Sequence, residues 1–193
     1  NFEKTFRMKS VGVICGGFSS EFEISIKSAR TIVDNFPECY KAYMVILSSD
    51  GWFVEIGETR FPFDLNTMTA PGTEFKMDAA VVYVHGDPGE NGKIQAFLEI
   101  QGIPYINSGP LSSSLSFDKW YCNQFLKGFG IPVAKSIFMR SADEVSYSSI
   151  IESLGLPIFV KPSDSGSSYG ISKVKNVNDL HDALAVAFKE GRT

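Results

Sequence analysis

The chain has 193 residues, of which 44% are hydrophobic and 21% charged, a balance that builds a buried core and excludes an intrinsically disordered chain. The net charge of −4 leaves no broad basic face for nucleic acid or an anionic membrane surface, so any phosphate site has to be local. No apolar run approaches the roughly 20 residues that span a bilayer, and residues 1–9 lack the apolar stretch of a secretory signal.

The three cysteines, Cys15, Cys39 and Cys122, are widely spaced and form no CxxC pair. They point to a reducing, cytoplasmic setting, with all three expected as buried or half-buried packing residues. Met8 is a candidate for the natural start.

Residues 11–15 form an apolar run that ends in Gly16 and Gly17, which reads as a buried strand entering a tight turn. Ser20 precedes Glu23 by three, the spacing of a capping box at a helix start. Phe22, Ile26, Ala29, Val33 and Phe36 then recur at helical intervals, so this stripe is expected to face a sheet. A strand over 42–47 and a partner over 52–56 flank the turn residues Ser48, Ser49, Asp50 and Gly51.

Residues 60–77 contain Pro62, Asn66, Pro71 and Gly72 without a sustained period and are expected as loop. A fully apolar strand follows at 79–84, then a turn-rich stretch at 85–92, a helix at 93–101 and a short strand at 104–106. Strands alternating with helices of this length predict an α/β fold, with an open parallel sheet and flanking helices in residues 1–107.

The pattern changes near Asn107, Ser108, Gly109 and Pro110, a candidate boundary. One helix is expected over 111–129, ended by Gly130 with Pro132 beyond. A strand (134–139), a helix (143–154), a strand (158–161), a loop (162–170), a strand (171–174) and a helix (177–188) complete an α+β region over residues 108–193. At about 85 residues this region is small for an independent core and is expected to leave apolar surface uncovered.

Four segments could carry chemistry. In "VKPSDSGSSYGI" (160–171), Lys161 ends a buried strand and small residues follow. Such a hairpin lets backbone N–H groups and serine hydroxyls approach phosphate oxygens, with the lysine neutralising charge; its plain alternative is a mobile loop beside a snorkelling lysine.

In "GGFSSEFE" (16–23), the turn lies at the carboxyl end of a strand, where open α/β sheets bind ligands. Glu23 is taken for the cap. Glu21 is not needed for the cap and could hold a ligand ammonium, or is a solvated carboxylate favoured by the helix dipole.

"HGDPGENGK" (85–93) falls short of a P-loop, with five residues rather than four between Gly86 and Gly92-Lys93, and Ile94 in place of the hydroxyl residue. His85 could donate to a carboxylate or simply pack. Asp118 and Lys119 sit within an apolar helical pattern, where a lysine is usually a surface residue.

Taken in order, these segments resemble the D-alanine–D-alanine ligases of the ATP-grasp class. "CGGFSSEFEIS" is similar to the family's GG-x-S-x-E-x-E-x-S segment, and "VHGDPGENGKIQAFLEIQGIPYINSG" to its HG-x-x-GE-x-G-x-x-Q-x-x-LE-x-x-G-x-PY-x-x-SG segment. "SLSFDKW" and "IFVKPSDSGSSYGISKV" resemble its DK helix and its VKP…GSS-x-G-x-SKV loop. The resemblance runs from Val11 to about Phe188, omitting residues 60–77.

The resemblance implies an N-terminal pre-ATP-grasp domain (1–107) followed by part of a central ATP-grasp subdomain (108–193). It implies joining of two D-alanines with ATP and magnesium, through an acylphosphate, for peptidoglycan precursors and hence cell-wall shape. By position, Glu21 would bind the ammonium of the first D-alanine, with Ser167 hydrogen-bonded nearby and His85 close to the carboxylate. Glu21 and Ser167 would be catalytic, and Lys119, Lys161 and Ser168 would contact ATP.

The adenine-contacting hinge and the magnesium ligands would lie beyond Thr193, so that no metal ligand is expected in these residues and the 193 alone are expected to be inactive. Family members commonly form homodimers. A D-lactate or D-serine second substrate, a P-loop-like nucleotide-binding domain using Gly86 to Lys93, and a non-catalytic binding module remain alternatives. The ligase reading requires the turn after the first strand and the serine-rich hairpin to share a cleft.

Overall fold

The computed structural model describes residues 7–140 and 146–191. The chain divides into two compact units, Asn1–Ser113 and Ser114–Thr193.

The first unit is built on a six-stranded sheet in the order β4-β3-β2-β1-β5-β6, comprising β1 (Lys9–Gly16), β2 (Tyr40–Ser48), β3 (Gly51–Ile56), β4 (Thr59–Pro62), β5 (Ala79–Val82) and β6 (Tyr105–Ile106). Strand β1 is parallel to β2 on one side and β5 on the other, and β5 is parallel to β6. β3 returns antiparallel on β2, and β4 on β3.

Strand side chains alternate between two cores, as the two-residue period requires. On one face Val13, Cys15, Met44 and Ile46 pack beneath α1 (Phe22–Asp34), whose Ala29 is fully buried there with Phe22, Ile26, Val33 and Phe36 around it. The expected stripe therefore faces the sheet. On the other face Ile14, Val45, Leu47 and Val54 meet Ile94 and Leu98 of α2 (Lys93–Ile100).

Three expectations for this unit fail for physical reasons. Residues 60–77 are not a plain loop. β4 begins the segment, bridges join Asp64 to Thr69 and Thr69 to Lys76, and Phe63, Met68, Ala70, Phe75 and Met77 are all buried in the second core. Prolines and a glycine at the bends hid apolar residues that are spaced by the folded-back path rather than by a period.

The capping box is also absent. Glu21, not Ser20, occupies the position before α1, and no side chain caps the helix. The Ser19 hydroxyl instead accepts the Glu21 N–H at 3.2 Å, which places the chain's turn one residue away from the box register. Finally, Cys39 is exposed, whereas Cys15 is buried and Cys122 half-buried. Burial, and secondarily the charge of Glu55, pushes the Cys15 thiol up to about 12, which makes it inert packing.

α3 (Pro110–Phe117) contains the division between the units, and α4 (Lys119–Gly128) follows it in the second. The single helix expected over 111–129 is broken at Asp118, whose extended backbone starts α4 and whose carboxylate accepts the Tyr121 N–H at 3.0 Å, a cap that an uninterrupted helix would forbid.

The strand expected at 134–139 does not form. Phe138 packs on Trp120 with ring centroids 5.3 Å apart, and the Lys135 ammonium donates to the Ser153 carbonyl, so side chains rather than a ladder hold this stretch. Of the helix expected at 143–154, residues 143–145 lie outside the described residues, and α5 is Tyr147–Leu154.

β7 (Ile158–Val160) pairs antiparallel with β8 (Ser172–Val174), and a 3₁₀ turn (Val177–Asp179) leads into α6 (Leu180–Glu190). Leu180 and Ala183 of α6 share a core with Ile150, Ile158 and Val174. Tyr121, Phe125, Phe129 and Phe159 are exposed, in keeping with the expected uncovered apolar surface. Among the described residues no helix is long and apolar enough to cross a membrane.

Because Phe75 is 3% exposed and packs edge-on to Tyr43 with centroids 5.0 Å apart, Phe75→Ala should destabilise the first unit by about 3–5 kcal/mol. Urea unfolding followed by tryptophan fluorescence checks this; an unchanged midpoint would show that the segment is surface loop after all.

Candidate functional site

At the carboxyl end of β1 the parallel ladder stops, and side chains take over its hydrogen bonding. Ser25, fully buried on α1, accepts the Gly16 N–H at 2.9 Å and donates to the Tyr83 carbonyl at 2.6 Å. One hydroxyl thus ties the exits of β1 and β5 to the first turns of α1.

Just beyond, the Gly17 N–H donates to the Leu47 carbonyl and the Phe18 N–H to the Asp87 carbonyl. The Ser19 hydroxyl donates to the His85 carbonyl at 2.9 Å while accepting the Glu21 N–H. Gly86 permits this approach. It sits at φ +69, and a Cβ there would lie 2.9 Å from Ser19 Cβ and 3.9 Å from Glu21 Oε2, so the Glu21 carboxylate is turned toward the His85–Gly86 backbone.

Glu21 is a buried carboxylate, 7% exposed. A carboxylate in such a place demands positive or hydrogen-bonding partners. His85 is half-buried, its ring edge-on to Tyr83 at 5.4 Å, with Nδ1 4.0 Å from Glu90.

The loop after His85 is rigidly braced. Glu90 accepts the Gly86 N–H at 3.1 Å. Gln95, fully buried, donates to the Gly89 carbonyl at 2.7 Å. Asp87 accepts from Asn91 and from the Lys93 ammonium at 2.7 Å. Lys93 is therefore engaged within its own loop, which gives no support to the P-loop alternative.

In the second unit, Asp118 joins the α4 start to the serine-rich loop. It accepts from the Ser163 hydroxyl at 2.6 Å, and that hydroxyl accepts the Trp120 N–H at 3.1 Å. Lys119 donates through its backbone N–H to the Ser163 carbonyl at 3.0 Å and through its ammonium to the Ser165 carbonyl at 2.5 Å. Lys119 is thus no ordinary surface lysine. Burial first, and then the nearby charge of Lys161, lower its pKa from 10.5.

Lys161 is exposed at the end of β7, its ammonium 5.8 Å from the centre of the Phe159 ring; Lys173 lies 5.6 Å from the same ring, a distance at which a cation is attracted to the aromatic face. Ser167 and Ser168 both take left-handed backbone, at φ 46 and 62, a conformation costing non-glycine residues on the order of 1–3 kcal/mol each. The Tyr169 N–H donates to the Gly166 carbonyl and the Ile171 N–H to the Ser168 carbonyl, closing this strained turn.

The six residues expected at the site thus fall into two groups. Glu21 and His85 are brought together in the first unit, and Lys119, Lys161, Ser167 and Ser168 belong to the loop-bearing second unit. Ser19, Ser25, Gln95, Asp118 and Ser163 were missed as structural partners of these groups, although all but Ser163 lie at fixed letters of the recurring segments.

Among the described residues no group of three or more His, Cys, Asp or Glu side chains could hold a metal ion. The donors among the described residues do not fit magnesium.

An α/β unit with a buried carboxylate at its strand ends is followed along the chain by a hairpin that bears lysines and serines. Residues 10–108 match the family model for the D-ala D-ala ligase N-terminus, and residues 125–193 the model for the D-ala D-ala ligase C-terminus. The chain belongs to the D-alanine–D-alanine ligase family.

It is 41% identical over 189 residues to a D-alanine–D-alanine ligase of Azobacteroides pseudotrichonymphae, covering 95% of this chain and 58% of that protein. The structure of D-alanyl-alanine synthetase A from Vibrio cholerae is similar at TM-score 0.84 and 33% identity, over 96% of this chain and 58% of that one. The VanG D-Ala:D-Ser ligase of Enterococcus faecalis is similar at TM-score 0.83 and 27% identity, over 96% and 61%. The chain spans a little under three fifths of the curated relative's length.

Since Lys119 is lowered by burial and then by Lys161, its ammonium should titrate below that of the other lysines by NMR. Lys161→Ala should move it back up, and an unmoved titration would refute the coupling. The sign for stability follows. The unfolded chain holds this proton to higher pH than the folded one, so the contribution of Lys119 rises as pH climbs from its lowered value to 10.5, and Lys119→Met should flatten that rise.

Proposed function

We propose that the intact gene product joins two D-alanines at the expense of ATP, for peptidoglycan precursor synthesis in the cytoplasm. The observation that carries this reading is the buried Glu21 carboxylate turned toward the His85 loop. A small zwitterion would set its ammonium against Glu21 and its carboxylate near His85.

An oxygen of that carboxylate attacks the terminal phosphorus of ATP and ADP leaves, giving an acylphosphate. The amine of the second D-alanine attacks the acyl carbon, expelling phosphate and losing a proton. Lys119 and Lys161 would supply positive charge to the phosphates, with the Ser167–Ser168 turn covering them. Phosphoryl transfer needs mainly such positioning and neutralisation. The reading carries with it a boundary between residues 107 and 108, a homodimer, and magnesium held by residues other than those described. The likeness to a D-Ala:D-Ser ligase favours one second reading, a ligase whose second substrate is D-serine, with D-lactate a further member of that class.

Phosphate release by the intact gene product should require D-alanine. Glu21→Gln and Lys161→Ala should each lower kcat/KM by about 100-fold or more, while Lys93→Ala should leave ATP binding unchanged. Release indifferent to D-alanine would remove the ligase reading and leave a binding module or another nucleotide-using enzyme. Lost ATP binding in Lys93→Ala would revive the P-loop alternative, and preferential consumption of D-serine would establish the second reading.

A further inference from the structure

We propose that Ser19 is a positioning residue that fixes the spacing between the ammonium-holding Glu21 and His85, and so restricts the first substrate to α-amino acids. The proposal rests on the ligase reading above and deepens it. Ser19 is half-buried, and its hydroxyl is spent in both directions within the site, donating to the His85 carbonyl at 2.9 Å and accepting the Glu21 N–H at 3.2 Å. The contact is made close by Gly86, whose missing Cβ leaves room for Ser19.

The surrounding bonds hold the frame rather than this distance. Ser25 ties Gly16 to Tyr83, and the Phe18 N–H ties to the Asp87 carbonyl, so the loops stay adjacent when the Ser19 hydroxyl is removed but lose their register to one another. An α-amino acid carries its ammonium and carboxylate on one carbon. A β-amino acid separates them by one carbon more and needs Glu21 and His85 further apart, which is the distance this bridge sets.

The test uses the intact gene product and Ser19→Ala. Wild type should release phosphate with D-alanine and reject β-alanine. The variant should raise KM for the first D-alanine about tenfold, the value of one buried hydrogen bond, with kcat and KM for ATP within about threefold of wild type. Its preference for D-alanine over β-alanine, as a ratio of kcat/KM, should fall by about fivefold or more.

A folded variant whose KM and preference both match wild type overturns the proposal, as does one in which kcat alone falls. If Ser19→Ala does not fold, Ser19→Cys, which keeps the size but weakens the donor, is judged by the same criteria. A wild type without D-alanine dependence defeats the ligase reading itself, which separates the two failures.

Discussion

Strand β1 runs between two parallel neighbours, and where it ends its backbone groups have no ladder left to join. In a buried setting an N–H or carbonyl left unpaired there costs about 1–3 kcal/mol. The solution is the Ser25 hydroxyl, which takes the Gly16 N–H and gives its proton to the Tyr83 carbonyl. Because Ser25 sits in the first turn of α1, satisfying the strand end also places the start of that helix over the mouth of the sheet. Glu21, one residue before α1, is carried with it into a buried position. The carboxylate's location is thus a consequence of the hydrogen bonding of the backbone beneath it.

The second unit solves a different problem. Lys119 is anchored to the serine-rich loop by its backbone N–H and by its ammonium, on the carbonyls of Ser163 and Ser165, and the charge of Lys161 opposes its own. A partly buried cation with a second cation near it is unfavourable unless negative charge joins them. The Ser163 and Ser165 carbonyls and the charges of Asp118 and Asp164 compensate in part, and under the proposed function the phosphates would supply the rest.

Much of this was legible in the sequence where one physical rule dominated. The α1 stripe and the strands expected at 42–47 and 79–84 follow from burial on a pleated or helical surface, and the position of Glu21 and His85 just beyond strand ends follows from the order of those elements. Legibility failed where several rules competed. Phe63, Phe75 and Met77 are core residues in a segment full of turn formers, because its path folds back on itself through isolated bridges. Ser20 and Glu23 have the right spacing for a cap, yet the hydroxyl one position earlier serves the chain better by bonding across to His85. Asp118 reads as part of a helix because its neighbours are apolar on both sides; its cap on the Tyr121 N–H and its bond to Ser163, 45 residues away, explain why the helix breaks there.

The two units therefore place their conformational cost differently. Around Glu21 and His85 the geometry is held by short side chains on backbone groups, with glycine where the chain must approach closely. In the hairpin, two successive serines are kept in left-handed backbone, where any alternative conformation releases strain. A small zwitterion differs from its rejected relatives by a carbon or less, so discriminating among them requires a receptor that does not yield. A nucleotide has to enter and leave, so whatever covers its phosphates must change shape at small cost. Under the proposed function, the hydrogen-bonded frame at the strand ends and the strained serine turn would answer those two demands separately, each from residues within its own unit.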